Sequence, residues 1–270
     1  GLTFLEENGE RLIDSFAIPD LTQGFVRGVP PRVLDFAQDA QGVVWAAAGT
    51  ALLEIGRDRR VSIHRFKERV QSVEIDPRGR LFVLCGRSLF LRREGRFEAL
   101  PATFLQSPPR TSRWLATDGA DRLFVATVGG LFWRDGIGAT ELDTQAEWHH
   151  AVSGDQRGDN VYSVSATPGG EVRVGTSGGL YRLSGDALEP IKGTEALGRP
   201  IYFLLKDAGG KLWAGTDDGV FVSEPGGYRQ LSVRHGLSGR ETNRGAGLVD
   251  SSGRVWIGTD QGLSIYREPL

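Results

Sequence analysis

The sequence predicts an all-β fold, a β-propeller of four-stranded antiparallel blades, six or seven in number. Three observations predict it. A motif made of an Asp-x-x-Gly turn, a Trp/Phe-bearing strand ending in Gly-Thr and a Gly-Leu strand recurs along the chain; it recurs about every 42 residues, the length of one propeller blade; and no helix-period segment of useful length interrupts it. Composition agrees. The chain has 38 Gly among 270 residues without an every-third-residue period, which excludes collagen and favours many turns, while 39% hydrophobic and 24% charged residues exclude wholesale disorder.

The first two strands of each blade can be set out in order. Asp39-Ala40-Gln41-Gly42 leads to Val44–Thr50, Asp76-Pro77-Arg78-Gly79 leads to Leu81–Gly86, and Asp118 leads to Leu123–Thr127 with Asp121 in the place of the turn glycine. Then come Gly169-Gly170 with Val172–Thr176, Asp207–Val220 and Asp250–Leu263, the last two agreeing almost position for position. The Gly-Thr step, at residues 49, 86, 126, 175, 215 and 258, is spaced by 37, 40, 49, 40 and 43. Each feature has a physical reason. Aspartate bonds to turn amides and glycine takes the left-handed position without a Cβ clash, so the step makes a hairpin. Glycine before threonine lets a neighbouring backbone or ring come close. Trp45, Phe82, Phe124, Trp213 and Trp256 place a large apolar body at one blade position, which predicts packing between blades; Arg173 stands there in the fourth copy and marks that blade as irregular.

Third strands are predicted to begin at Leu2, Leu52, Leu89, Leu131, Leu180, Val220 and Leu263, and fourth strands at Val61–His64, Phe97–Leu100, Leu188–Ile191 and Tyr228–Val233. Six inner strand pairs thus meet seven third strands, so residues 1–270 read as a single propeller domain or propeller fragment that starts in mid-blade. Two solutions follow. In one, six blades close with Arg11–Phe16 as the outer strand of the last; in the other, the chain is a piece of a seven-bladed or larger array.

The remaining totals exclude more than they assign. A formal charge of −2 gives no general attraction to nucleic acid, and no 18-residue apolar run provides a membrane span, so membrane attachment is expected only through segments absent from this chain. The absence of methionine leads to the expectation that Gly1 was produced by processing or by cutting a larger protein. Cys85 is alone and reads as a small buried filler. His149 and His150 are adjacent, a poor chelating pair, with only His64 and His235 elsewhere; no metal, no cofactor and no nucleophile-base-orienter set is expected.

At Asp250–Leu263 and its near-copy Asp207–Val220 the chain resembles the two-component regulator propeller repeat family. Gly236-Leu237-Ser238-Gly239-Arg240-Glu241-Thr242-Asn243 matches the lead-in common in the family's terminal repeat, and the likeness is strong over residues 160–267 and loose over 1–135. Ala126 in place of glycine and Cys85-Gly86-Arg87 without threonine depart from the pattern. The resemblance implies a sensory region of a bacterial signalling protein and a periplasmic or extracellular location. It does not supply the signalling domain itself.

A propeller binds where the loops entering its inner strands converge, and those entries lie seven residues before each turn Asp or its equivalent. Counting back picks out Arg32, Arg69, Thr111, Asn160, Pro200 and Asn243, with Arg244 one step on and Arg113, Tyr162 and Tyr202 following. Forked guanidinium donors and amides suit a small anionic or polyhydroxylated ligand. Two long connections, Pro101–Ser112 and Leu142–Asn160, add Trp148 as a contact to ligand or protein partner. The expected binding set is therefore Arg32, Arg69, Arg113, Trp148, Asn160, Tyr202, Asn243 and Arg244. A non-catalytic ligand-sensing or protein-interaction propeller is the reading these residues favour; the alternative is a propeller enzyme, a lyase or glycan-acting hydrolase, with its site on the same face.

Overall fold

The computed structural model describes residues 2–5, 12–16, 33–58, 60–106, 111–137, 147–168 and 170–267, the first two stretches as backbone alone. Strands β1 (Leu2–Leu5) and β2 (Leu12–Phe16) pair with each other as a separate hairpin. Six further sheets follow in chain order. Blade 1 holds β3 (Val33–Gln38), β4 (Val44–Ala48), β5 (Ala51–Ile55) and β6 (Val61–Arg65); blade 2 holds β7 (Val70–Ile75), β8 (Leu81–Cys85), β9 (Ser88–Arg93) and β10 (Arg96–Leu100). Blade 3 is β11 (Ser112–Thr117), β12 (Leu123–Thr127), β13 (Gly130–Arg134) and β14 (His149–Ala151), and blade 4 is β15 (Val161–Ala166), β16 (Val172–Thr176), β17 (Gly179–Ser184) and β18 (Ala187–Pro190). Blade 5 is β19 (Ile201–Lys206), β20 (Leu212–Thr216), β21 (Gly219–Glu224) and β22 (Gly227–Leu231); blade 6 has three strands, β23 (Thr242–Val249), β24 (Val255–Thr259) and β25 (Gly262–Tyr266). Each inner strand packs on the inner strand of the next blade, and β23 meets β3, which closes the ring at six blades.

Two sequence expectations change. The stretch Arg11–Phe16 does not complete blade 6 as its outer strand: β2 takes β1 as its partner, Phe16 opposite Leu2. His149 and His150 belong to a strand, not a loop, because β14 pairs with β13 and so completes blade 3.

The repeated residues build the blades. The first carboxylate oxygen of each turn Asp collects backbone amides, as Asp76 does from Arg78 and Arg80, both at 2.9 Å. Its second oxygen takes an indole N–H, an arginine Nε–H or, at Asp250, both, from Trp256 and Arg254. In blades 5 and 6 the Trp213 and Trp256 indoles donate to Asp207 and Asp250 at 2.8 Å. Where the ring is Phe82 or Phe124, an arginine at the end of the turn donates instead, Arg80 Nε at 2.6 Å and Arg122 Nε at 2.8 Å. Threonine of the Gly-Thr step caps the next hairpin: Thr127, Thr176, Thr216 and Thr259 each donate to the glycine carbonyl three residues on. A Cβ on Gly215 would overlap the Phe203 ring, which is the close approach that the glycine permits. Trp45, Phe82, Phe124 and Trp213 are buried in the clusters between sheets.

Polar groups also join the inner strands. Asp35 of β3 accepts Ser72 Oγ (2.7 Å) and Val73 N (2.9 Å) of β7, and Ser72 Oγ in turn accepts Leu115 N of β11 (3.0 Å). Glu74 of β7 accepts both the amide and the hydroxyl of Thr117. Burial pushes Asp35 and Glu74 up to about 7, against the lowering effect of these hydrogen bonds.

Candidate functional site

All six inner strands start at the same end of the ring, and each starts with an irregularity. The register jumps between Val33 and Asp35, Val70 and Ser72, Ser112 and Trp114, Val161 and Ser163, and Ile201 and Phe203. One residue per blade is left out of the ladder: Leu34, Gln71, Arg113, Tyr162 and Tyr202. A bulge of this kind turns the extra side chain out of the pairing pattern, so the fold presents one residue per blade at the channel mouth whose side chain the ladder does not direct.

Blade 6 exaggerates the device. Thr242 pairs with Thr259 and the next regular pair is Gly247 with Ile257, so Asn243, Arg244, Gly245 and Ala246 face the single residue Gly258. This segment bridges the channel. Arg244 of blade 6 lies over the Tyr162 ring of blade 4 at 4.7 Å, and a Cβ on Gly245 would overlap the Trp114 ring of blade 3, directly opposite in the ring. Gly245 has φ +63°, a second reason for glycine there.

The strap brings a cluster together. Arg113 lies over the same Tyr162 ring at 4.5 Å and donates through Nη2 to Asn160 Oδ1 (3.0 Å). Asn160 Nδ2 donates to the Tyr162 hydroxyl (3.3 Å), and Tyr162 meets Tyr202 edge to face at 5.5 Å. Neither Arg113 nor Arg244 has a carboxylate partner among the described residues, and the buried Nε of Arg113 has no hydrogen-bond partner there. Burial and the neighbouring Arg244 charge lower the Arg113 guanidinium from its ordinary value. Burial, followed by the charges of Glu241 and Asp217, raises Tyr202.

Four of the expected residues, Arg113, Asn160, Tyr202 and Arg244, therefore meet around Tyr162. Asn243 lies in the strap but donates to the Thr259 carbonyl (3.0 Å), and Arg69 is exposed at the same end on blade 2. Arg32 lies outside the described residues. Trp148 lies elsewhere: beside β14, its indole donates to the Pro101 carbonyl (2.9 Å) and its ring packs on Phe104. Counting seven back from the turn misplaces blade 6, because the strap lengthens its inner strand. The Glu241 carbonyl accepts Asp260 N as the Asn160 carbonyl accepts Ser177 N, so Glu241, not Asn243, is the counterpart of Asn160. The pairing of Thr242 with Thr259, each at a strand end, is the signal that would have placed it.

The extracellular domains of two hybrid two-component systems of B. thetaiotaomicron superpose with TM-scores of 0.54 and 0.62 at 20% and 15% identity, covering 91% and 88% of this chain. The chain is a six-bladed propeller similar in fold to these extracellular domains. The propeller spans 39% of the length of either neighbour. It also superposes on virginiamycin B lyase from Staphylococcus aureus, with a TM-score of 0.70 at 9% identity over 97% of this chain and 85% of that one. At such identities the likeness is one of fold. No protein-family model and no curated protein matches the sequence. No helix among the described residues is long and apolar enough to cross a membrane, and no group of three or more His, Cys, Asp or Glu among them is placed to hold a metal ion.

Proposed function

We propose that this propeller is the ligand-sensing part of a bacterial signalling protein, periplasmic or extracellular, and that it takes a small anionic ligand at the channel mouth. One observation carries the reading: Arg113 and Arg244, from blades 3 and 6, converge on Tyr162 without a carboxylate to neutralise them. Two like charges brought together in the unliganded protein repel, and an anion placed between them turns that repulsion into attraction. Arg113 Nε is without a hydrogen-bond partner, and the tyrosine hydroxyls suit hydroxyl groups on the ligand; the Tyr162 ring itself is already covered by the two guanidiniums. The fold likeness to extracellular domains of two-component systems supports the signalling role, and a ligand that bridges blades 3, 4 and 6 would report its presence by tightening the ring.

The test is equilibrium binding of glucuronate and inorganic sulfate, with glucose as the uncharged control, to the 270-residue chain. Binding of the anions that weakens about tenfold or more in Arg113→Ala and in Arg244→Ala, and that falls with added salt, supports the site. Anion binding unchanged in both variants, or glucose bound as well as glucuronate, overturns it.

A further inference from the structure

The opposite face carries a second polar cavity, between blades 4 and 5. In blades 1, 2, 3 and 5 the second residue of the second strand is a buried aromatic ring that packs towards the next blade, as Trp45 packs on Phe97 and Trp213 on Tyr266. Blade 4 has Arg173 instead, and its turn begins with Thr167 where the other blades have aspartate. The two departures coincide with a cavity of about 160 Å³ whose lining includes Ser165, Thr167, Glu171, Arg173, Lys206 and Ser223. A missing ring has left a space, and the polar groups around it are three hydroxyls, two cations and the Glu171 carboxylate that pairs with one of them.

The charges in it are unequal. Arg173 forks onto Glu171 through Nε (3.0 Å) and Nη2 (2.8 Å), so the guanidinium is held in place by the carboxylate two residues before it. Lys206, at the end of β19, has no ion-pair or hydrogen-bond partner among the described residues. Ser223 accepts Leu212 N (2.8 Å), which leaves its hydroxyl proton to be donated. The net balance of the lining is positive, with one cation uncommitted. A cavity of about 150 Å³ accommodates a benzene-sized molecule when its walls are apolar; with these walls the same volume suits a compact carboxylate bearing a hydroxyl.

We propose that this interblade cavity is a second binding site, for a small carboxylate of roughly benzene size, held by Lys206 and Arg173 with its hydroxyl on Ser223 or Thr167. It is separate from the mouth, since it lies at the C-terminal ends of the inner strands whose N-terminal ends form the mouth. A sensor with both sites would read two ligands, and because blade 4 contributes Tyr162 to one and Arg173 to the other, a single blade links them.

Titration of the 270-residue chain with lactate, with lactamide as the uncharged control and inorganic phosphate as the competing anion class, followed by amide chemical shifts, tests this. The expected result is saturable shifts at Gly210 and Ser223 with lactate, absent with lactamide, weakened about tenfold in Lys206→Gln, abolished in Arg173→Trp, which restores the ring of the other blades, and retained in Arg113→Ala. Retention in Arg113→Ala separates this site from the one at the mouth. Shifts that do not saturate, that lactamide reproduces, or that survive in Arg173→Trp overturn the proposal, as does saturation by phosphate alone. Lys206 is exposed, so its variant tests the site even where Arg173→Trp fails to fold.

Discussion

Arg244 is an exposed side chain on an irregular segment, with no bond that the fold needs. Its contact with Tyr162 is attractive, its contact with Arg113 repulsive, and in water both are small. Arg244→Gln is therefore expected to change stability by no more than about 0.5 kcal/mol while removing anion binding at the mouth; urea denaturation beside a binding titration checks both halves. A large loss of stability would instead make Arg244 a structural residue. Asp35 and Glu74 are the reverse case, buried groups that the site does not use. Burial raises both to about 7, and for Glu74 the charges of Asp35 and Asp76 add to the effect. In the unfolded chain both ionise near pH 4, so between about pH 4 and 7 the folded protein holds protons the unfolded chain has lost, and stability falls as pH rises, by up to about 1.4 kcal/mol per pH unit for each group. Above pH 7 the slope vanishes. Denaturation midpoints measured across that window are expected to fall, and to fall about half as steeply in Asp35→Asn, since Glu74 alone then contributes. An unchanged slope would mean that Asp35 is ionised in the native protein.

At the scale of the element, the turn is the unit that the sequence states most openly. Although burial opposes its ionisation, Asp250 is held well below the usual carboxylate range by bonds from Trp256, Ser252 and Arg254. A depressed carboxylate stabilises above its unfolded value near 4 and loses that contribution on acidification, opposite in sign to Asp35. Asp250→Ala is expected to cost about 2–4 kcal/mol near neutral pH, because it leaves the Trp256 indole, the Arg254 guanidinium and two turn amides without their acceptor. Thermal denaturation against Asp58→Ala, an exposed turn residue, measures it. Such turns were legible because every partner lies within six residues of the aspartate. The strap Asn243–Ala246 was not, because its length is set by which residues of β23 find partners on β24, and a count from the turn assumes that no residue is left over. The outer strand of blade 3 escaped for a related reason: three residues, His149–Ala151, are too few to show alternation, and what holds them is the stacking of His150 on Phe132 and His149 on Trp133 from the neighbouring strand. Arg113, Tyr162 and Tyr202 were reached from sequence because they sit at the bulge that recurs in blades 3, 4 and 5, and Asn160 because it enters blade 4 just before it, whereas Arg244 came from a count that the strap shifts, and its approach to Tyr162 could not be read from that count.

The ring as a whole is not uniform. Around most of it, adjacent inner strands bury large side chains against each other, and Leu115, Val161 and Ile201 are all buried. At the seam between blades 6 and 1 the pattern fails: Val33 and Phe36 on β3, Leu248 on β23 and Leu263 and Ile265 on β25 are all exposed, Phe36 by 51% and Leu263 by 53%. Blade 6 also has three strands, so β25 has an edge without a strand partner among the described residues. Apolar surface left in water contributes nothing to closure, at about 25 cal/mol for each Å² that a better-packed seam would bury. The sixth blade is held instead by blade 5, through Phe203 and Leu205 against Gly247 and through the shared cluster of Trp213, Val255 and Ile257. It follows that the ring opens first between blades 6 and 1, with blade 6 leaving on its blade 5 hinge. Native-state amide exchange is expected to show β3, β24 and β25 exchanging at lower opening free energies than β11, β12, β15 and β16, whose seams are fully packed. The strap makes the same experiment informative about function, because Arg244 carries blade 6 to the mouth cluster on blade 4: an anion bound there ties the loosest blade to the firmest, and protection in β23–β25 is expected to rise with anion concentration in the native chain and to stay constant in Arg244→Gln. Uniform protection across the six blades would show that the seam is as firm as the others, and a rise in protection that persists in Arg244→Gln would place the anion somewhere other than the mouth.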